Sequence, residues 1–205
     1  WPSSNTSMAS IIRVAATQHR VGKAPSLSKG KWLKRALGAA RKRDRSNTGE
    51  DDKILEHWDV IAAYEGTTSS GEDMVGGPSE PSDLDKGEAN KALVLEYVKQ
   101  VLTEGEIGRV ADFVSPSLIQ REPALGSGLH GLTDALSFGA VGSYDMVFKL
   151  VGEGDLVVTY SRVHRGGADH AVFDIYRVED NLIAEHWGIA EALQPRERWG
   201  NSGKF

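Results

Sequence analysis

Residues 171–189 read AVFDIYRVEDNLIAEHWGI, and this stretch decides the fold. Apolar and polar residues alternate on either side of Glu179-Asp180-Asn181-Leu182, the pattern of two strands joined by a tight turn. Ala171 to Val178 forms the first strand and Ile183 to Ala190 the second. In a two-residue hairpin centred on Asp180-Asn181, Asp174 lies opposite Trp187 and Tyr176 opposite Glu185. Val172, Asp174, Tyr176, Glu185, Trp187 and Ile189 then share one face. Phe173, Ile175, Ala184 and His186 share the other. A one-residue bulge would change the cross-strand pairs but not the alternation within each strand.

Upstream, Tyr144, Met146, Phe148 and Leu150 recur with period two, Gly152-Glu153-Gly154-Asp155 makes a turn, and Leu156 to Val163 follows as another strand. Gly166-Gly167 breaks the chain before the decisive hairpin. Ahead of the strands the spacing is helical. Val94, Tyr97, Val98, Val101 and Leu102 give one apolar face to a helix over about Ala89–Glu104. A shorter helix is expected from Ile107 to Val114, ending near Pro116, and a third over Thr133–Phe138. Helices followed by an antiparallel meander make the class α+β, with the domain spanning residues 88–205.

Residues 66–87 are rich in Gly, Ser, Pro and acids and lack periodicity, so they read as a linker. Before them, residues 50–60 repeat residues 179–189 with six identities in eleven positions, the trio Glu-His-Trp included. A weaker echo pairs residues 15–21 with 157–163. Residues 1–65 thus read as a partial second copy of the domain, without its helices, carrying an insert over residues 22–49 that is expected to be disordered.

Charge is split along the chain. Residues 1–49 hold 11 Lys/Arg against the single acid Asp44, and the remainder holds 13 Lys/Arg against 28 acids, giving a net charge of −5. The acidic part is a poor partner for nucleic acid, because phosphate contacts need clustered cations. Residues 29–45 form a basic amphipathic pattern, and residues 1–49 share the Arg-rich, acid-poor composition of a targeting segment. A solvated insert and an out-of-register stretch of a gene model are the competing readings. No run of about 18 uncharged apolar residues exists, so no membrane span is expected. There are no cysteines, which excludes disulfides and thiolate chemistry and fits a reducing compartment; the cytoplasm is the expected location.

The blocks "AVFDIYRVEDNLIAEHWGI", "GEGDLVVTYSRVH", "NKALVLEYVKQVLTEGEIGRVADFV" and "RERWGNSGKF" resemble the SnoaL-like polyketide cyclases of the nuclear transport factor 2-like superfamily. The resemblance covers about residues 88–205, and residues 50–62 again. It implies a cone-shaped domain whose N-terminal helices pack on a curved antiparallel sheet around an apolar pocket. It also implies metal-free, cofactor-free acid/base chemistry by an aspartate, of the kind that closes rings by an aldol reaction.

Residue chemistry agrees in kind. Aldol closure needs a base beside a carbonyl and then an acid for the new alkoxide, and one carboxyl group in a dry pocket can serve as both. Asp174 is the candidate acid/base, against the alternatives of a solvated face or a structural hydrogen bond. Tyr176, Glu185 and Trp187 share its face and are candidate pocket residues. Trp187 is otherwise core, and Glu185 otherwise a surface or salt-bridge residue, or a partner of Tyr176 or Arg177. Arg121 stands where related sequences often carry His, and His164 is a candidate for the pocket rim. Gly188 follows Trp187 where the upstream echo has Asp59. The histidines show no metal-ligand spacing, so no metal is expected. The function expected is a cofactor-independent enzyme acting on a small apolar carbonyl compound. The alternative is a non-catalytic ligand-binding or dimerisation module. The expected partners are a small apolar ligand and a second copy, or pseudo-copy, docked through the sheet.

Overall fold

The computed structural model describes residues 58–199 and 204–205. The echoes at 15–21 and 50–57 and the insert at 22–49 lie outside the described residues. Helix α1 (Gly87–Tyr97) runs into a π-helical segment (Val98–Thr103), and a 3-10 segment (Ile107–Asp112) follows. Then come β1 (Val114–Gln120), α2 (Gly128–Ser137), β2 (Ser143–Glu153), β3 (Leu156–Arg165), β4 (Ala168–Glu179) and β5 (Leu182–Ala192). The five strands form one sheet in the order β1-β5-β4-β3-β2. The architecture is α+β, as the sequence implies.

Two expectations need correction. The first helix changes register at Val98, and its last turns widen so that the neighbours Val101 and Leu102 are both buried. The second helix is a 3-10 segment that gives way at Val114 to β1, which pairs with β5 in parallel. The sheet is therefore mixed, not wholly antiparallel. Pro116 hides this strand from propensity. Its missing N–H is tolerated because β1 is the edge of the sheet.

The sheet separates two cores. On the helix side, Val94, Tyr97, Val98, Val101 and Leu102 pack with Val157, Val163, Val172, Tyr176, Val178 and Ile183. On the outer side, Val60 packs with Val158, Tyr160 and Phe173, and Trp58 and Phe148 join them. Phe205 stacks on Phe148 at 4.0 Å, and Tyr160 Oη donates to Lys204 O at 2.7 Å, so both ends of the described chain cover the outer face.

The turn between β4 and β5 is the expected one. Asp180 and Asn181 both take positive φ, 51° and 60°, which twists the strands in the right-handed sense. The pairs beyond it differ. Val178 is opposite Ile183, but Arg177 is opposite Glu185, so Ala184 is an extra residue. This bulge moves every later pair by one position: Tyr176 faces His186 and Asp174 faces Gly188. Beyond Ala184, β5 presents the opposite face from the one strict alternation assigns. The change has a packing reason. Ile183 and Ala190 both meet the helix-side core, and an odd separation allows that only if one residue is inserted.

Residues 66–86 contain no strand, and their helix is limited to a 3-10 turn at Leu84–Lys86, directly before α1 begins at Gly87. They nevertheless lie on the domain. Thr68 and Met74 are buried, Ser69 N donates to Pro123 O at 3.1 Å, and Ser82 N donates to Asp155 Oδ1 at 2.6 Å. Small and polar residues permit this route because backbone groups, not side chains, make most of the attachments.

Candidate active site

The inner face of β4 carries Asp174 between Val172 and Tyr176. Its carboxylate has no exposure at all. A buried carboxylate needs hydrogen bonds or a cation, and three side chains supply the former. Tyr144 Oη donates to Oδ2 at 2.9 Å, Thr159 Oγ1 donates to the same oxygen at 3.4 Å, and His186 Nε2 lies 3.0 Å from Oδ1. Neither lysine nor arginine is among these partners. Burial first, and then the charge of Asp174, hold the Tyr144 phenol well above its ordinary pKa, so it remains a donor. The same causes raise Tyr176 and Tyr97.

His186 is fixed from both sides. Its Nδ1 lies 2.9 Å from Gln120 Oε1, and its ring stacks on Tyr176 with centroids 4.9 Å apart. Gln120 Oε1 also accepts the backbone N–H of Glu122 at 3.0 Å. That donor has only one role, so the amide atom facing it is the oxygen. His186 Nδ1 must then carry a proton, and a second proton lies between Nε2 and Asp174. The pair is either imidazolium with carboxylate or imidazole with carboxylic acid. Moving this one proton interconverts the two forms.

Glu122 completes the cluster. Its Oε1 accepts from Arg165 at 2.7 Å. A Cβ built on Gly188 would sit 2.6 Å from Glu122 Oε2, so the absence of a side chain at 188 makes room for this carboxylate. Ligand atoms of Glu122, Asp174 and His186 lie within 4.8 Å of one another, a set that could hold a metal ion. An ion there would displace the Asp174–His186 hydrogen bond and compete with Arg165 for Glu122.

A narrow cavity adjoins the cluster. Tyr97, Tyr144, Tyr176, Gln120, Glu122 and His186 give it polar atoms, and Leu102, Leu125, Leu132 and Val141 help close it. Water centres have about 20 Å³ in it, enough for one water or two. Asp174 is not on the wall; it stands behind Tyr144 and His186.

Of the residues read from the sequence, Asp174 and Tyr176 are on this inner face. Glu185 and Trp187 are on the other because of the bulge at Ala184, and Arg121, just past β1, joins them there. There Arg121 Nε donates to Glu185 Oε1 at 2.6 Å and Arg177 Nε donates to Glu185 Oε2 at 3.0 Å. Arg121 also donates to Asp73 O at 2.8 Å, and Trp187 Nε1 donates to Gly76 O at 2.9 Å. These three residues pin the 72–77 strap and do not line the cavity. His164 is exposed and pairs with Asp169 at 2.8 Å. The sequence reading missed His186, Gln120, Glu122 and Tyr144 as site residues. The odd spacing of Ile183 and Ala190 was the one signal that could have turned His186 inward.

No protein-family model and no curated protein matches the chain. Solved structures do. A SnoaL-like polyketide cyclase from Agrobacterium tumefaciens is similar at 13% identity, over 50% of this chain and 91% of that one, with a TM-score of 0.42. An NTF-2 like protein of unknown function from Burkholderia xenovorans is similar at 15% identity, over 57% and 98%, with a TM-score of 0.46. An LEH-like epoxide hydrolase from M. tuberculosis is similar at 12% identity, over 52% and 85%, with a TM-score of 0.44. No helix among the described residues is long and apolar enough to cross a membrane.

Proposed function

We propose that the protein is a cofactor-independent acid/base enzyme acting on a small apolar carbonyl compound, with Asp174 and His186 as its proton-sharing pair. The observation that carries this reading is Asp174 itself: a carboxylate with no exposure, bonded to His186 and Tyr144 beside an apolar cavity. Burying such a group costs stability unless something is gained, and desolvated clusters of this kind are typical of functional sites. His186 is the member that reaches the cavity. Both His186 nitrogens are engaged, Nδ1 by Gln120 and Nε2 by Asp174, so the pair takes or returns a proton at the ligand by turning Nε2 from Asp174 to the cavity, while Tyr144 stays neutral and keeps one carboxylate oxygen occupied. Removal of a proton beside a carbonyl, and its return to carbon or oxygen, then need no cation.

One observation favours a second reading, a non-catalytic ligand or dimerisation module. The cavity holds water-sized contents only, so a substrate enters only if Leu125, Leu132 or Val141 moves.

The test is hydrogen exchange on a probe ketone. Full-length protein is incubated with cyclohexanone in D2O, and loss of the α-proton signal is followed by NMR. Wild type should accelerate exchange. Asp174→Asn should lose about 10²–10⁴-fold of that acceleration with an unchanged circular dichroism spectrum. Acceleration that survives Asp174→Asn removes the acid/base assignment, and none in wild type favours the module.

A further inference from the structure

One residue of the cavity wall, Gln120, carries a buried donor without a partner among the described residues. Gln120 has no exposure, and its Oε1 is held by two donors, the Glu122 N–H and the His186 Nδ1–H. Its Nε2 is buried with no hydrogen-bond partner among the described residues. Rotating the amide does not relieve this, because it would set Nε2 against the Glu122 N–H, donor against donor. Gln120 is also part of the cavity wall. A buried amide donor left unmade is costly, and native proteins leave few of them.

We propose that Gln120 Nε2 is the anchor for the ligand, donating a hydrogen bond to the carbonyl oxygen of a small ketone or aldehyde bound in this cavity. This rests on the reading of the cavity as a ligand site and adds the atom that recognises the ligand. The chemistry selects the class. Nε2 offers only donors, so it fits an acceptor oxygen and rejects an ammonium or an apolar isostere. The same side chain fixes the His186 ring through Oε1. One amide therefore holds the carbonyl oxygen and sets the orientation of the imidazole that faces the carbon beside it. If charge develops on that oxygen during proton abstraction, the Nε2 bond strengthens as the reaction proceeds.

The attachment of this residue is unusual for an edge strand. Ser70 Oγ donates to Gln120 O, and Arg121 N donates to His186 O at 2.8 Å. The strap over residues 66–77 and strand β5 thus clamp the backbone that aims Gln120. This explains why a fully buried side chain can keep an unpaired donor instead of rotating to find water.

The experiment compares two probes of the same shape, cyclohexanone and methylenecyclohexane, in NMR titrations of the 15N-labelled full chain. Wild type should bind the ketone about 3- to 10-fold more tightly, the range of one neutral hydrogen bond. The Gln120 side-chain amide signals should move with the ketone and not with the hydrocarbon. Gln120→Glu keeps an acceptor for both donors and deletes the N–H, and it should bind the two probes equally. If this variant does not fold, the wild-type amide signals decide by themselves. Equal binding of both probes by wild type, or amide signals indifferent to the ketone, overturns the anchor while the cavity stays a ligand site. Binding of neither probe overturns both readings.

Discussion

Two buried carboxylates sit on adjacent strands of one sheet, Asp174 on its inner face and Glu185 on its outer face, and they are satisfied in different ways. Glu185 is 1% exposed and takes one guanidinium on each oxygen, from Arg121 and Arg177. Asp174 is fully buried and has hydroxyls and an imidazole instead. Fixed cations hold a carboxylate ionised and immobile. Hydroxyls and an imidazole surround it with hydrogen-bonding partners and no guanidinium. The outer cluster is built to hold a strap, and the inner one is suited to chemistry. Burial of a charged group alone does not tell the two apart; the identity of its partners does.

The largest effect that can break this comparison is on stability. Glu185→Ala leaves Arg121 and Arg177 facing each other without their shared anion, and the expected loss is about 3–5 kcal/mol in urea unfolding. Asp174→Asn keeps an oxygen for Tyr144 and Thr159 and places an N–H toward His186 Nε2, so it should change stability by less than about 1 kcal/mol. If Asp174→Asn proves the more damaging of the two, the inner carboxylate is structural.

A smaller effect probes the strap. Gly77 has φ +90°, and a Cβ there would lie 2.6 Å from Glu185 Oε1 and 2.7 Å from Trp187 Cζ2. Gly71 has φ +85° with nothing within 4 Å. Both alanine variants carry the backbone strain, of order 1–3 kcal/mol, but only Gly77→Ala also pushes the strap away from the ion pairs. Thermal unfolding should rank Gly77→Ala well below Gly71→Ala. Equal melting temperatures would show that the outer cluster does not hold the strap.

A third effect concerns pH and is confined to strongly alkaline conditions. Tyr97, Tyr144 and Tyr176 have phenols raised by burial and then by the Asp174 charge. Below about pH 10 a phenol is protonated in the folded and the unfolded chain alike, and it adds no pH dependence. Above that, the unfolded chain releases protons that the folded chain retains. Stability should then fall as pH rises, by about 1.4 kcal/mol per pH unit for each such tyrosine. Ultraviolet titration should show these three ionising together with unfolding. Smooth titration of all five tyrosines near pH 10 in folded protein would mean that the inner face is open to water.

Much of the fold was legible. The period-two runs place β2 to β5, the Asp180-Asn181 turn is where the sequence puts it, and Asp174 and Tyr176 share the inner face as expected. These features are local: turn geometry and alternation are written in neighbouring residues. The bulge at Ala184, the parallel pairing of β1, and the convergence of Gln120, Glu122 and His186 are not. Nothing in Glu185-His186-Trp187 says which of the three turns inward, since each could be buried with a suitable partner. The helix-side core decides, because Ile183 and Ala190 must both reach it, and the inserted residue then sends Glu185 to two arginines and His186 to an aspartate. Sequence alone determined that this strand pair would form, with Asp174 and Tyr176 on one face. Only the packing of both faces at once determined which acid met two guanidinium groups and which met hydroxyls and an imidazole.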